Sequence, residues 1–213
     1  MADFLTLCQD TWTECGLPSS LPVSVTGQKG TPKLIVKYVR DAWEEIQKMH
    51  TDWSFHLTDT VAQLDIGTRI YPLAHFASNI SRLLALRYAD DSGKIALEDW
   101  TLSTPITLTE TGKPTIGYRR EDDRIYMNKV ADQEYPVQVL YRRTPQILAA
   151  NADVPIMRAE YHQAIVWKAV EYYARFDTAP ELLEKAQLQF GTIYRDMVLK
   201  LTPPITFAKS KFL

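Results

Sequence analysis

The sequence predicts an α+β protein, with helices near residues 3–15, 32–50, 158–176 and 179–201, a central antiparallel β-rich block at 53–149, and an extended C-terminal arm at 202–213. Three observations predict it. Apolar residues recur at spacings of three, four and seven toward both ends of the chain, which marks amphipathic helices. In the middle they alternate at a period of two, as in half-buried strands. After the last helical pattern comes Pro203-Pro204, and proline cannot continue a helix because it lacks the amide hydrogen and crowds the preceding turn.

The first helix carries Phe4, Leu5, Cys8, Trp12 and Cys15 on one stripe, with Asp3 placed to cap it, Gly16 to end it and Pro18 soon after. Pro18, Pro22, Gly27 and Gly30 make residues 17–30 a loop. In the second helix Thr31 suits the N-cap and Pro32 the first helical position, and Ile35, Tyr38, Val39, Ala42, Trp43, Ile46 and Met49 form the apolar face. Each of these helices has one stripe to bury, so they are expected to pack as an antiparallel pair.

In the β block, Trp53, Phe55 and Leu57 alternate with polar residues and predict a strand, and residues 68–73 predict another short one. Residues 80–88 and 94–100 predict a hairpin turned at Asp90-Asp91-Ser92-Gly93. Residues 124–128 and 135–142 predict a second, with Tyr135, Val137, Val139 and Tyr141 sharing one face. Pro136 suggests an edge position or a strand start. The block reads as a small antiparallel sheet or sandwich. The third helix lines up His162, Ile165, Val166, Ala169, Val170 and Tyr173; the fourth lines up Leu183, Ala186, Phe190, Ile193, Met197 and Leu201, with Thr178 and Glu181 fitting a capping box. The boundaries group residues 1–52 with 150–201 as a helical domain and 53–149 as an inserted β-rich domain.

A chain of 213 residues, 46% hydrophobic and 23% charged, is long and apolar enough to bury its own core. The net charge of −2 argues against a nucleic-acid binder that works by bulk basicity, yet is compatible with a negative channel past which DNA slides. No run approaches the ~20 apolar residues of a membrane span, and Met1-Ala2-Asp3 lacks the basic start of a signal peptide; synthesis and use in the cytosol are expected. Cys8 and Cys15, seven apart on one helix, would hold their Cα atoms roughly 10 Å apart, beyond disulfide reach, and read as buried free thiols.

A search for chemistry finds no catalytic residue, no metal site and no cofactor site. His50, His56, His75 and His162 form no ligand spacing with one another or with cysteine. Gly27-Gln28-Lys29-Gly30-Thr31 lacks the strand and the spacing of a phosphate loop. No nucleophile elbow occurs, and the carboxylates Glu98, Asp99, Glu121, Asp122 and Asp123 have no His or Lys pattern beside them. Two basic pairs stand out. Arg119-Arg120 and Arg142-Arg143 are able to touch phosphates, to pair with acids of a neighbouring subunit, or to be ordinary surface charge. The last residues, Ile205, Phe207, Lys209, Lys211, Phe212 and Leu213, are apolar and basic where a free tail is usually polar; they read either as an arm that docks on another chain or as a tail that folds back or frays.

Several segments, in this order, resemble the head-to-tail adaptor (connector) proteins of tailed bacteriophages across residues 2–201: Phe4 to Cys8 with Glu14-Cys15-Gly16, Val39 to Gln47 leading to Trp53, Gly112-Lys113-Pro114-Thr115, Tyr141-Arg142-Arg143-Thr144-Pro145 with Leu148, Pro155, and the helix from Ile165 to Tyr173. The resemblance implies a bundle of the four helices carrying the β domain. It implies a ring, of about twelve copies in such adaptors, under the portal protein. The ring would extend the channel, hold packaged DNA without reading its sequence, and offer a docking surface to tail or nozzle proteins. It also implies a C-terminal segment reaching the portal, synthesis in the host bacterial cytoplasm, residence in the virion neck between capsid and tail, and no membrane partner; in a ring the charges of Arg142 and Arg143, read above as one option for a subunit contact, would be repeated in every copy. Residues 60–110 match the pattern least well. The competing readings are another neck or tail component, such as a stopper or tube protein, and a DNA-processing enzyme.

Overall fold

The computed structural model describes residues 2–18, 20–90, 92–101 and 110–203. The chain divides into two compact units, residues 1–55 with 145–213, and residues 56–144.

The first unit is helical, with α1 (Phe4–Glu14), α2 (Gly30–Met49), α4 (His162–Phe176) and α5 (Pro180–Leu201). Helix α4 is the hub on which α1, α2 and α5 all pack. Eleven of its fifteen residues are buried, including Ala164, Ile165, Val166, Trp167, Ala169, Val170 and Tyr173, as expected of a helix surrounded on nearly every side. The start of α1 is fully satisfied. The Asp3 carboxylate accepts from the Thr6 N–H at 2.8 Å, while the N–H groups of Phe4 and Leu5 donate to the carbonyls of Asp153 and Asn151; helix ends need such partners. The irregular segment after residue 144 is held by side chains. Buried Gln47 donates to the Gln146 carbonyl at 2.9 Å and accepts its N–H at 2.7 Å. Gln146 in turn reaches the Val154 carbonyl and the Ile156 N–H.

The second unit holds β1 (Leu57–Leu64), β2 (Ile70–Pro72), the one-turn α3 (Leu73–Phe76), β3 (Ile80–Tyr88), β4 (Lys94–Asp99), β5 (Ile116–Arg120), β6 (Arg124–Met127) and β7 (Tyr135–Arg143). They form a seven-stranded sheet in the order β1-β7-β3-β4-β5-β6-β2. Neighbours pair antiparallel except β4 and β5, which run parallel. The sheet is curled into a half-barrel, and the chain length demands it. Strands β1 and β2 are its opposite edges; laid flat, they would lie about 29 Å apart. The chain from Leu64 to Ile70 spans at most about 21 Å. Tyr71, Leu83, Leu86, Ile95, Ile125, Met127, Val137 and Val139 fill the core of this unit.

The class is α+β as predicted, but the architecture differs from a four-helix bundle with a small antiparallel β domain: there are five helices among the described residues and a curled mixed sheet. The helices gather on α4 rather than pairing around a shared axis. The 80–88 and 94–99 hairpin is present, whereas the second predicted hairpin is not. β6 pairs with β5 and β2, and β7 lies between β1 and β3. Trp53 and Phe55 are not in a strand. Residues 54–56 form a 3-10 turn, and both rings belong to the helical core. Neither Thr31 nor Thr178 caps a helix, since α2 and α5 start after Lys29 and Ala179 without a side-chain cap.

Candidate functional site

The residues singled out in the sequence fall at the end of α5, the end of β7 and on strand β5. Helix α5 is anchored by Ala186, Phe190, Met197 and Leu201. The Thr202 hydroxyl donates back to the Val198 carbonyl at 2.6 Å, and Pro203 leaves the helix. The predicted docking arm, Ile205, Phe207, Lys209, Lys211, Phe212 and Leu213, lies outside the described residues.

Arg142 and Arg143 close β7. Arg142 lies in register with Leu57 on one side and Arg82 on the other, and both members of the pair are half-buried. Like charges opposite each other in a sheet repel, and the register sets Arg82 across from Arg142. Nearby His56 is buried. Burial holds its pKa below the ordinary value and the guanidinium charges of Arg143 and Arg142 add to that, against a backbone hydrogen bond at Arg143.

The other basic pair separates. Arg119 is engaged by Asp99, with Nη2 at 2.9 Å and Nε at 3.0 Å from one carboxylate oxygen. The Arg120 guanidinium lies 5.7 Å from the ring centres of both Trp100 and Tyr126, a cation–π arrangement. Asp99, Trp100, Arg119, Arg120 and Glu121 line an open depression of about 530 Å³. This aromatic and cationic patch was not singled out in the sequence, because Trp100 sits about twenty residues from Arg120 and only the β4–β5 pairing brings them together. Trp, Tyr and Arg are the residues that dominate contact surfaces.

Among the described residues no group of His, Cys, Asp and Glu is placed to hold a metal ion. The His50 ring lies tilted at 5.4 Å from the Trp53 ring, His75 contacts the Gln63 carbonyl, and His162 is buried against the Met157 carbonyl. Cys8 and Cys15 are free thiols, each pushed up to about 12, chiefly by burial, which is the opposite of an activated nucleophile. The Gly27–Thr31 stretch is a loop entering α2 at Gly30, whose φ is 59°. No described helix is long and apolar enough to cross a membrane.

Among known proteins, the family model described as SU10 adaptor protein matches residues 3–203, a span that takes in both units. No curated protein matches the chain.

Proposed function

The chain belongs to the SU10 adaptor protein family of phage head-to-tail adaptors, and from that premise we propose that it forms a ring beneath the portal, lengthens the DNA channel and presents the docking surface for the tail. The observation that carries the reading is the family match over residues 3–203. An adaptor of this kind is a structural component of the virion, and its work is binding rather than turnover.

In this reading residues 202–213 are the arm that holds the portal. Ile205, Phe207, Phe212 and Leu213 supply apolar anchors, each contributing about 1.5–3 kcal/mol when buried, less the cost of ordering the segment. Lys209 and Lys211 add charge, and repetition around a ring multiplies weak contacts into lasting attachment. Arg142 and Arg143, at the end of β7, contact acids of a neighbouring copy.

The test is negative-stain imaging and light scattering of the protein with the portal from the same genome. Wild type is expected to decorate the portal as a ring, removal of residues 203–213 to abolish loading, and reversal of Arg142 and Arg143 to leave incomplete rings. Unchanged loading by the truncated chain removes the arm assignment, and failure of wild type to bind any portal removes the adaptor placement.

A further inference from the structure

We propose that the α4–α5 corner of one copy seats in a groove on α2 of the next, making the repeating contact of the ring; this deepens the adaptor reading and rests on it.

The groove lies between residues 25–28 and the N-terminal half of α2, with a volume of about 290 Å³. Val25 and Val36, each 6% exposed, form its apolar floor. Lys33, Lys37 and Arg40 rise around it on successive turns. Lys33 makes no ion pair among the described residues; Lys37 has only Asp41 at 3.6 Å, and Arg40 donates to the Leu148 carbonyl. The first turn of α2 carries no acidic residue, so the positive end of the helix dipole adds to the same field.

The α4–α5 corner is its complement. Phe176, the last residue of α4, is 61% exposed. Around it in the chain stand Asp177, Glu181 and Glu184, all exposed, and Leu188 follows at 67% exposure. None of the three carboxylates makes an ion pair among the described residues. The cations nearest in sequence are committed elsewhere, Arg175 to Glu171 and Lys185 to Glu14 at 3.1 Å.

An exposed aromatic followed in the chain by three exposed carboxylates, and an apolar groove lined by cations, therefore occur on the same unit. Charge complementarity picks a second copy as the occupant. A closed ring repeats one heterologous contact, so each copy must carry both halves of it, as this unit does. Nucleic acid would satisfy the basic rim but would leave the exposed Phe176 and its carboxylates without a role.

The experiment is a charge swap on the full chain, read as assembly in solution by sedimentation velocity at low and high salt, and on the portal by negative stain. Lys33→Glu/Lys37→Glu and Glu181→Lys/Glu184→Lys are each expected to weaken association by roughly tenfold or more when alone. An equimolar mixture of the two variants is expected to restore it, since reversed faces then meet reversed faces. Phe176→Ala is expected to weaken assembly with every charge intact, and high salt to weaken wild type. The inference falls if both charge variants assemble like wild type, or if the mixture stays dissociated. It also falls if Lys33→Glu/Lys37→Glu loses only affinity for a DNA duplex, which would make the groove a phosphate contact. A wild type that binds no portal yet shows the swap-and-rescue pattern would overturn the adaptor placement and leave this contact standing.

Discussion

Lys168 is 7% exposed within the helical unit. Its Nζ lies 2.9 Å from Glu45 and 3.1 Å from Glu171, and it faces the rings of Tyr172 and Phe190 at 5.5 and 5.2 Å. Arg175 holds the other side of Glu171, and the Tyr172 hydroxyl donates to Glu45. Glu171 keeps Arg175 when Lys168 is removed, and Glu45 is partly exposed, so Lys168→Ala is expected to cost about 1–3 kcal/mol in urea unfolding, whereas Lys168→Met with Glu171→Gln, which removes the buried pair and keeps its volume, is expected to cost less. Equal losses for the two would show that packing, not charge, sets the effect. The buried histidines give a pH dependence. Burial chiefly lowers the pKa of both His56 and His162 in the folded state. As pH falls below about 6.5, the unfolded chain takes up these protons first. Stability is thus fully present above about 6.5 and lost as pH drops toward the folded values. Thermal unfolding should shift down between pH 7.5 and 5.5, and His162→Gln should flatten that slope; an unchanged slope would mean other groups set it.

At the level of elements, the amphipathic helices were the most legible part of the sequence. α1, α2 and α5 each bury one stripe, and Asp3, Gly16 and Pro203 mark their ends as such residues should. Helix α4 buries the six residues the pattern lines up, and Trp167, Lys168 and Glu171 as well, because three other helices pack on it. The sheet was harder. The alternation of Tyr135, Val137, Val139 and Tyr141 was readable, and those four residues are buried together. Their neighbours were not readable, because a period of two names a face and not a partner. Strand β5 went unseen, and Gly117 explains why: a glycine in mid-strand weakens the pattern. The structure shows what that glycine does. A Cβ placed there would lie 3.1 Å from Ile125 Cγ2 and 3.2 Å from Leu97 Cδ2, so any side chain at this point of β5 makes those two neighbours give by a few tenths of an ångström. Gly117→Val is expected to lose about 1–3 kcal/mol by overpacking, and Gly117→Ala less, measured by chemical denaturation. Loss of stability by Ala equal to that by Val would point to backbone freedom rather than space.

For the whole molecule, the helical unit is discontinuous in sequence yet has a core of its own. Phe4, Trp12, Ile35, Val39, Trp43, Ile46, Trp53, Ile165, Val166 and Phe190 all belong to it, from both ends of the chain. The β unit interrupts that chain between residues 55 and 145. What makes such an interruption tolerable is where it begins and ends. Leu57 pairs directly with Arg142 across β1 and β7, and opposed Cα atoms in an antiparallel pair are only about 4.5–5.5 Å apart. The chain thus enters and leaves the second unit at neighbouring points of β1 and β7. The proposed surfaces inherit the division: the α2 groove, the α4–α5 corner and the root of the proposed arm lie on the helical unit, the paired arginines of β3 and β7 and the Trp100 patch on the sheet. Replacing residues 56–144 with a short Gly/Ser linker is therefore expected to leave a helical protein that melts in one cooperative step, followed by circular dichroism and calorimetry. The excised chain should keep swap-and-rescue assembly through Lys33, Lys37, Glu181 and Glu184, because those residues need nothing from the sheet. A helical but non-cooperative product would show that the sheet completes the helical core, and the two units would then have to be treated as one folding unit.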